Sequence, residues 1–320
     1  MKFNIGFDPN VLSCYNHVMK KKITIIILIF LVTVTISALY LTTGFLQKSK
    51  IDVRDLNKWK YDEDGIIVGA KEFTLEGSNN VCWYLIHGYT STPDEMREIA
   101  EEIHAEFNEI VFVTRLKGSG EVPSHMADLT LHDWYKQASS EFDILSQNCN
   151  KINLVGFSFG GTLAIRLAEN KEVNNIYLLS PYIFATYEPY RILKLETYLD
   201  IFADILWYGK KPKIAQINSK EGLDKQISYW NMPLAPIKNS ETFFHEVKIN
   251  LNKIDRPILL QQSKNDKVSD IKSSIYIYDN VMSDNKKLIV FEKSNHVIPA
   301  DYDKDDAIEN ILNFEKKTRE

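Results

Sequence analysis

Residues 154–162 read Leu-Val-Gly-Phe-Ser-Phe-Gly-Gly-Thr and set Ser158 between Gly156 and Gly160, where a short apolar run gives way to a helical pattern. Gly-x-Ser-x-Gly at a strand-to-helix junction presents the serine on a sharp turn, and glycines two positions either side let the neighbouring chain pass. A serine hydroxyl is a weak nucleophile at its own pKa. The junction therefore predicts three further parts elsewhere in the chain: a base, an acid that orients the base, and donors for an oxyanion.

Outward from that junction, short apolar runs alternate with helical patterns. Strands are predicted over 65–75, 81–86, 109–116, 151–155, 175–179, 258–262 and 287–291, and helices over 93–107, 131–147, 159–169, 268–282 and 305–317. Continuous apolar runs suit a sheet covered on both faces. Strand–helix alternation argues for a mostly parallel α/β sheet. Pro93 fits a first helical turn, with Ser91 or Thr92 placed to cap it.

Residues 181–254 interrupt the rhythm. They carry Tyr182, Phe184, Tyr187, Tyr190, Tyr198, Phe202, Trp207 and Tyr208, then a polar stretch, then Tyr229, Trp230, Phe243 and Phe244. The segment, about 182–254, reads as a helical insertion over the C-terminal edge of the sheet, where α/β proteins bind ligands. Packing onto the main domain accounts for any one of these aromatics. Together, some of them are expected to line an apolar acyl pocket.

The 320 residues suffice for one large core or two modest ones. With 44% hydrophobic and 25% charged residues the composition is that of an ordinary globular chain. A net charge of -5 leaves no basic footprint for nucleic acid. The three cysteines, Cys14, Cys82 and Cys149, exclude a disulfide-dense scaffold, and no Cys/His spacing suits zinc.

One stretch departs from a soluble chain. Residues 23–46 carry no charge and follow Lys20-Lys21-Lys22 directly. As a helix they would extend roughly 36 Å, enough to cross a hydrocarbon core with some tilt. A buried core helix is the alternative use of such a segment, but this one is too long as well as apolar all round. A cleaved signal peptide is the stronger rival, and Thr42-Thr43-Gly44 would serve as its cleavage site, but its apolar region would be too long. The segment therefore reads as an uncleaved transmembrane anchor, preceded by a tail (1–22) and followed by a polar linker (47–62) and a catalytic domain (63–320). The lysine cluster favours a cytoplasmic N-terminus and a domain outside the cytoplasm, although Lys48, Lys50, Arg54, Lys58 and Lys60 follow the span.

Of the seven histidines, His87, His245 and His296 stand in contexts that invite a catalytic reading. His296 lies in Ser-Asn-His-Val-Ile-Pro just past a predicted strand, the loop position from which a base can reach Ser158. His245 sits in an amphipathic helical stretch, and His104 and His132 look structural. Asp266 follows another strand in a polar loop and is placed to orient the imidazole. Helix capping is the alternative use of such a residue, and Asp270 is the fallback acid. For the oxyanion, one N–H would come from Phe159 at the start of the helix. The other would come from Tyr89 in Leu-Ile-His-Gly-Tyr-Thr (85–90), with His87 and Gly88 at the substrate side of that loop or, for His87, steadying it. Gly118-Ser119-Gly120 reads as a flexible turn, and the glycines at 156–161 lack the spacing of a phosphate or dinucleotide loop.

The sets His87-Gly88-Tyr89-Thr90, Gly156-Phe157-Ser158-Phe159-Gly160-Gly161, Asn265-Asp266-Lys267-Val268 and Ser294-Asn295-His296-Val297-Ile298 resemble the bacterial carboxylesterases and monoacylglycerol lipases of the α/β-hydrolase fold. The similarity covers roughly residues 78–316 and excludes the apolar N-terminal stretch. It implies hydrolysis of acyl esters, with monoacylglycerol and lysolipid as candidate substrates, through an acyl-enzyme on Ser158 with His296 as base and Asp266 as its partner, and no metal or organic cofactor. A thioesterase or acyltransferase on the same triad, or a catalytically silent tethered binding module, remain alternatives. In that fold the strands bearing Cys82 and leading from Cys149 are neighbours, so an exported domain could hold a disulfide there, against two buried thiols otherwise.

Overall fold

The computed structural model describes residues 19–38, 53, 55–186, 208–210, 216–238 and 240–320. They fall into two units, divided at residue 50. The first contains helix α1 (Met19–Ala38), 20 residues with a mean hydropathy of 2.0 and no buried share. It is long and apolar enough to cross a membrane, and a helix of this kind serves either as an anchor or as a signal sequence. It starts four residues before the expected span, taking in the lysine cluster, while 39–46 lie outside the described residues.

The second unit is built on a seven-stranded sheet. Its strands are β1 (Phe73–Leu75), β2 (Ser78–Ile86), β3 (Glu109–Val113), β4 (Ile152–Phe157), β5 (Ile176–Leu179), β8 (Ile258–Ser263) and β9 (Lys286–Phe291), in the order β1-β3-β2-β4-β5-β8-β9. Only β1 runs antiparallel to its neighbour; every other pairing is parallel. A parallel sheet needs crossovers that cover its faces. The crossover helices are α2 (Arg97–Phe107), α3 (Leu131–Ser146), α4 (Phe159–Ala168) and α7 (Lys272–Asn280), and α8 (Lys304–Arg319), after the last strand, packs on the face of α2.

Successive strand residues point to opposite faces, and the core divides accordingly. Leu154, Leu178 and Leu260 pack with Ala138, Phe142 and Leu163 of α3 and α4. Val155, Tyr177 and Leu259 pack with Ile99, Ile103, Ile308 and Ile311 of α2 and α8. The apolar runs of β4, β5 and β8 are buried from end to end for this reason.

Four local expectations are corrected. The run 65–75 yields only the three residues of β1, because Gly65 and Gly69 take φ of 75° and 93° and turn the chain. Pro93 opens a 3-10 turn (Pro93–Met96) ahead of α2. Thr92 stands at its cap position, but its hydroxyl donates to Ile227 O instead of capping. Helix α7 opens at Lys272, not 268, because 268–270 are extended: Ser269 forms an antiparallel bridge with Ala185, Thr186 N donates to Val268 O and Asp270 N to Phe184 O. The expected linker also ends early: Asp55 is buried and Tyr61 forms a bridge with Ile67, so the domain reaches back to that point, while 47–52 and 54 lie outside the described residues.

Within the insertion, β6 (Tyr208–Lys210) pairs antiparallel with β7 (Asn231–Pro233), and two helices follow the chain back, α5 (Lys220–Lys225) and α6 (Ser240–Asn250). Tyr187, Tyr190, Tyr198, Phe202 and Trp207 lie outside the described residues. Cys82 on β2 and Cys149 ahead of β4 are joined as a disulfide, with Cα atoms 5.9 Å apart. The β2–β4 register, Cys82 opposite Ile152, brings them together.

Candidate active site

Ser158 ends β4 and precedes the first residue of α4. Its backbone sits at φ 53°, ψ -118°, a region disfavoured for residues with a Cβ. Such strain, on the order of 1–3 kcal/mol, persists only where the surroundings over-determine it. Here they do. The Ser158 N–H donates to Leu179 O at 2.9 Å, and its carbonyl accepts from the N–H groups of Thr162 and Tyr182, both at 3.2 Å. The glycines leave no alternative: a Cβ on Gly160 would lie 2.1 Å from Ile86 O, and one on Gly156 would lie 2.5 Å from Gly160 O. Helix α4 thus starts in direct contact with the end of β2.

The three residues expected to act together do converge. With hydrogen on Nδ1, the His296 ring donates to Asp266 Oδ2 at 2.8 Å and accepts the Ser158 hydroxyl at Nε2, also at 2.8 Å. Ser158, Asp266 and His296 are 5%, 6% and 4% exposed, so the chain of hydrogen bonds runs in a largely dry environment. Asp266 is further fixed by Gln262 Nε2 at 2.8 Å on Oδ2 and by two backbone N–H groups, Val268 at 2.8 Å and Ser269 at 2.9 Å, on Oδ1. The helix-capping alternative is therefore met by the same carboxylate that holds the imidazole: one oxygen serves the backbone and the other the ring. Asp270 instead accepts from Lys272 N at the opening of α7.

Residues that the sequence reading missed hold the histidine loop in place. Asn295 Oδ1 accepts from His296 N at 2.9 Å and from Lys267 N at 3.1 Å, tying the loop of the base to the loop of the acid. Asp301 accepts from Asn295 N, and Asp303 from Lys293 N and Ser294 N. Ser263 Oγ donates to Ser294 O, and Phe157 lies against the imidazole with ring centroids 5.2 Å apart. The only signal in the sequence was an excess of short polar residues around His296, which backbone capping explains.

On the oxyanion side, Phe159 is the first residue of α4, where N–H groups have no intrahelical acceptor and the helix dipole favours negative charge. Tyr89 lies across from it, its ring 5.5 Å from that of Phe159 and its hydroxyl donating to Pro233 O. The expected substrate contacts of His87 and Gly88 are corrected. His87 is fully buried; Leu116 N donates to its Nε2 at 3.2 Å and its Nδ1 donates to Gly88 O at 2.8 Å. Burial lowers its pKa to about 4, so it is a neutral pin for the loop. The Gly88 N–H donates to Glu95 Oε2, and a Cβ at Gly88 would meet the Phe157 ring at 2.9 Å. The other histidines singled out from the sequence also fall outside the site: His245 is exposed on α6, His104 bonds Glu109 O, and His132 packs against Phe243.

Beside the serine stands a cluster of rings. Phe159 stacks on Tyr182 at 5.1 Å, and Phe244 lies 5.8 Å and 5.6 Å from the two. Trp134 backs Tyr89 at 5.5 Å. A hydroxyl bonded to an oriented imidazole, next to helix-terminal N–H groups and an aromatic wall, can attack an electrophilic carbonyl and hold its apolar substituent.

Comparison with known proteins agrees with this geometry. The family described as serine aminopeptidase, S33 (Hydrolase_4) matches residues 79–303. A thermostable monoacylglycerol lipase of Bacillus sp. (strain H-257) is 30% identical over 255 residues, covering 78% of this chain and 95% of that protein. A carboxylesterase of Bacillus subtilis (strain 168) is 23% identical over 253 residues, covering 78% and 98%. Among solved structures, one from work on LipS and LipT, two metagenome-derived lipolytic enzymes, superposes with a TM-score of 0.71 at 26% identity, covering 79% of this chain and 99% of that one. The monoacylglycerol lipase of Paleococcus ferrophilus shares the fold with a TM-score of 0.67 at 14% identity, covering 77% and 98%.

Proposed function

Since the chain belongs to the serine aminopeptidase S33 family, within the α/β-hydrolases, and is an ester-hydrolysing enzyme of that fold, we propose that it is a membrane-anchored serine hydrolase acting on carboxylic acyl esters of short or medium chain, monoacylglycerol or lysolipid among them. His296 takes the Ser158 proton as Oγ attacks the carbonyl carbon. The developing oxyanion is met by the N–H groups of Phe159 and Tyr89. His296 then protonates the departing alcohol, and afterwards activates the water that releases the acid from the acyl-enzyme. Asp266 keeps the imidazole in the tautomer this requires and stabilises the imidazolium. The observation that carries the reading is the pair of 2.8 Å hydrogen bonds joining Ser158 Oγ, His296 and Asp266.

An acyl ester is favoured by the aromatic wall of Phe159, Tyr182 and Phe244, which offers an apolar surface to an acyl chain. Anchoring by α1 is supported by its length and hydropathy. The lysines at 20–22 and the Cys82–Cys149 disulfide both favour a domain outside the cytoplasm.

A fluorophosphonate probe and p-nitrophenyl esters of increasing chain length, run beside monoacylglycerols, a thioester and an aminoacyl anilide, test the proposal. The wild type should label and hydrolyse the esters, with the anilide far slower. Ser158→Ala should not label and should lose on the order of 10⁴-fold or more in kcat. Equal labelling of Ser158→Ala would refute the assignment, and preferred cleavage of the anilide would replace the esterase reading with a peptidase one.

A further inference from the structure

We propose that the face formed by Val53, Leu56, Val68 and Trp230, edged by Lys58 and Lys60, seats the catalytic domain on an anionic lipid bilayer. The inference rests on the reading of α1 as a retained anchor and adds to it a second, peripheral contact made by the domain itself.

The four apolar side chains are 50%, 39%, 59% and 41% exposed, which is costly in water and unusual for neighbours. They are neighbours by construction. The buried Asp55 carboxylate accepts from Trp230 N at 3.0 Å and from Asn231 Nδ2 at 2.9 Å, pinning the turn that carries Leu56 beside Trp230. Val68 N donates to Lys60 O at 2.9 Å, which brings the third member alongside, and Asn57 N donates to Val53 O at 3.0 Å, which keeps the fourth on the turn of Leu56. Lys58 Nζ stands 3.8 Å from the Trp59 ring centroid and 5.5 Å from that of Trp230. A buried carboxylate spent on fixing an exposed tryptophan makes a rigid platform.

Three features select a bilayer as its occupant. Tryptophan beside lysine is the pairing enriched at the membrane–water interface, where rings sit at headgroup level and ammonium groups reach the phosphates. Residues 47–60 hold five Lys/Arg and two Asp, a local charge of +3 on a chain whose net charge is -5. Each such cation near an anionic surface strengthens the attraction. The platform also starts where the tether ends: α1 stops at Ala38, and the residues 39–52 can span at most about 50 Å before Val53. A surface held that close to lipid meets it at high effective concentration, so even weak contacts are populated. The seat also adjoins the chemistry, since Tyr229, next to Trp230, donates its N–H to Thr90 O in the loop that follows β2.

The test uses the full chain in nanodiscs of phosphatidylcholine with or without phosphatidylglycerol, some carrying brominated acyl chains that quench tryptophan on contact. Trp230 is one of five tryptophans, so Trp230→Phe should remove up to about a fifth of the emission and most of the bromine quenching in anionic discs. Lys58→Glu with Lys60→Glu should lower the quenching, and should abolish its sensitivity to 0.5 M salt. Leu56→Ser with Val68→Ser should lower it too while fluorophosphonate labelling of Ser158 is unchanged, which guards against misfolding. Equal quenching in wild type and Trp230→Phe, with the chain retained on the disc, overturns the seat; so does an unquenched wild type with two copies per disc, which assigns the face to a second copy. Loss of the chain from the disc, or an intact mass lacking the N-terminal helix, overturns the anchor reading instead.

Discussion

Replacing Asp266 by Asn should remove activity while sparing the fold, and the structure dictates how. Asp266 Oδ1 accepts from the N–H groups of Val268 and Ser269, while Oδ2 accepts from Gln262 and His296. An Asn amide must put its oxygen on one side and its NH2 on the other. The backbone donors cannot turn, so the oxygen goes to them. Gln262 can turn over at the cost of its 3.3 Å bond to Ser269 O, because its partner on the other side is the rotatable hydroxyl of Ser274. The NH2 therefore faces His296 Nδ1, which must become an acceptor, and the ring hydrogen moves to Nε2, where it points at Ser158 Oγ. A ring in that tautomer cannot take the serine proton. The expected loss in kcat is on the order of 10⁴-fold, or about 5 kcal/mol of transition-state stabilisation, with KM little changed. Steady-state hydrolysis of a p-nitrophenyl ester measures it, and thermal unfolding checks that the variant stays folded. Asp266→Ala, which abandons the two backbone donors as well, should unfold at lower temperature than Asp266→Asn. A kcat for Asp266→Asn within tenfold of wild type, or a loss carried by KM, would show that the carboxylate does not set the tautomer.

Two further outcomes follow from buried groups away from the chemistry. Cys82→Ala with Cys149→Ala opens a link between residues 67 apart, which by loop entropy should cost up to about 4 kcal/mol; urea unfolding should show a lower midpoint for the double variant, and wild type should match it only in reductant. His87 is held neutral by burial, with its pKa lowered to about 4 from 6.5. Between those values the unfolded chain binds a proton that the folded one refuses, so stability is full above pH 6.5 and falls by about 3 kcal/mol by pH 4. His87→Gln, which keeps an acceptor for Leu116 N, should flatten that acid limb in denaturant titrations at pH 7 and 4, and an unchanged pH dependence would place the titrating group elsewhere.

The strands were legible because burial on both faces writes itself as a continuous apolar run: 151–155 and 175–179 start one residue ahead of β4 and β5, and 258–262 lies within β8. The failures came where backbone geometry outranks composition. Gly65 and Gly69 look like tolerable breaks in a strand until their positive φ turns the chain. Asp266 looks like a helix cap, and it does accept N–H groups at 268 and 269, yet the helix waits until Lys272 because 268–270 bridge to 184–186, a pairing far away in sequence. Of the two readings of His87, steadying the loop holds and substrate contact fails, for a related reason. A histidine next to a glycine-tyrosine loop invites a role toward substrate, whereas both its nitrogens are consumed by backbone groups, one of them from residue 116, a partner no local pattern reveals.

The insertion shows the same limit with larger consequences. Its aromatics were visible in the sequence and suggested a cover over the site. Its backbone does something else. Between 216 and 229 it touches both halves of the machinery: Val297 N donates to Gln216 O, and Asp301, which holds Asn295 N, also accepts from Asn218 N and Ser219 N. A few residues on, Gln226 bonds Glu95, whose other oxygen holds Gly88 N, and Tyr229 N reaches Thr90 O. The loop that carries the base and the loop expected to carry an oxyanion donor are thus braced by one segment. Changes in that segment would move the catalytic geometry together with the substrate wall, so divergence of the insertion among relatives should alter kcat and chain-length preference jointly. A packed interior transmits such shifts instead of absorbing them, which gives an insertion that looks like a lid the leverage of a frame.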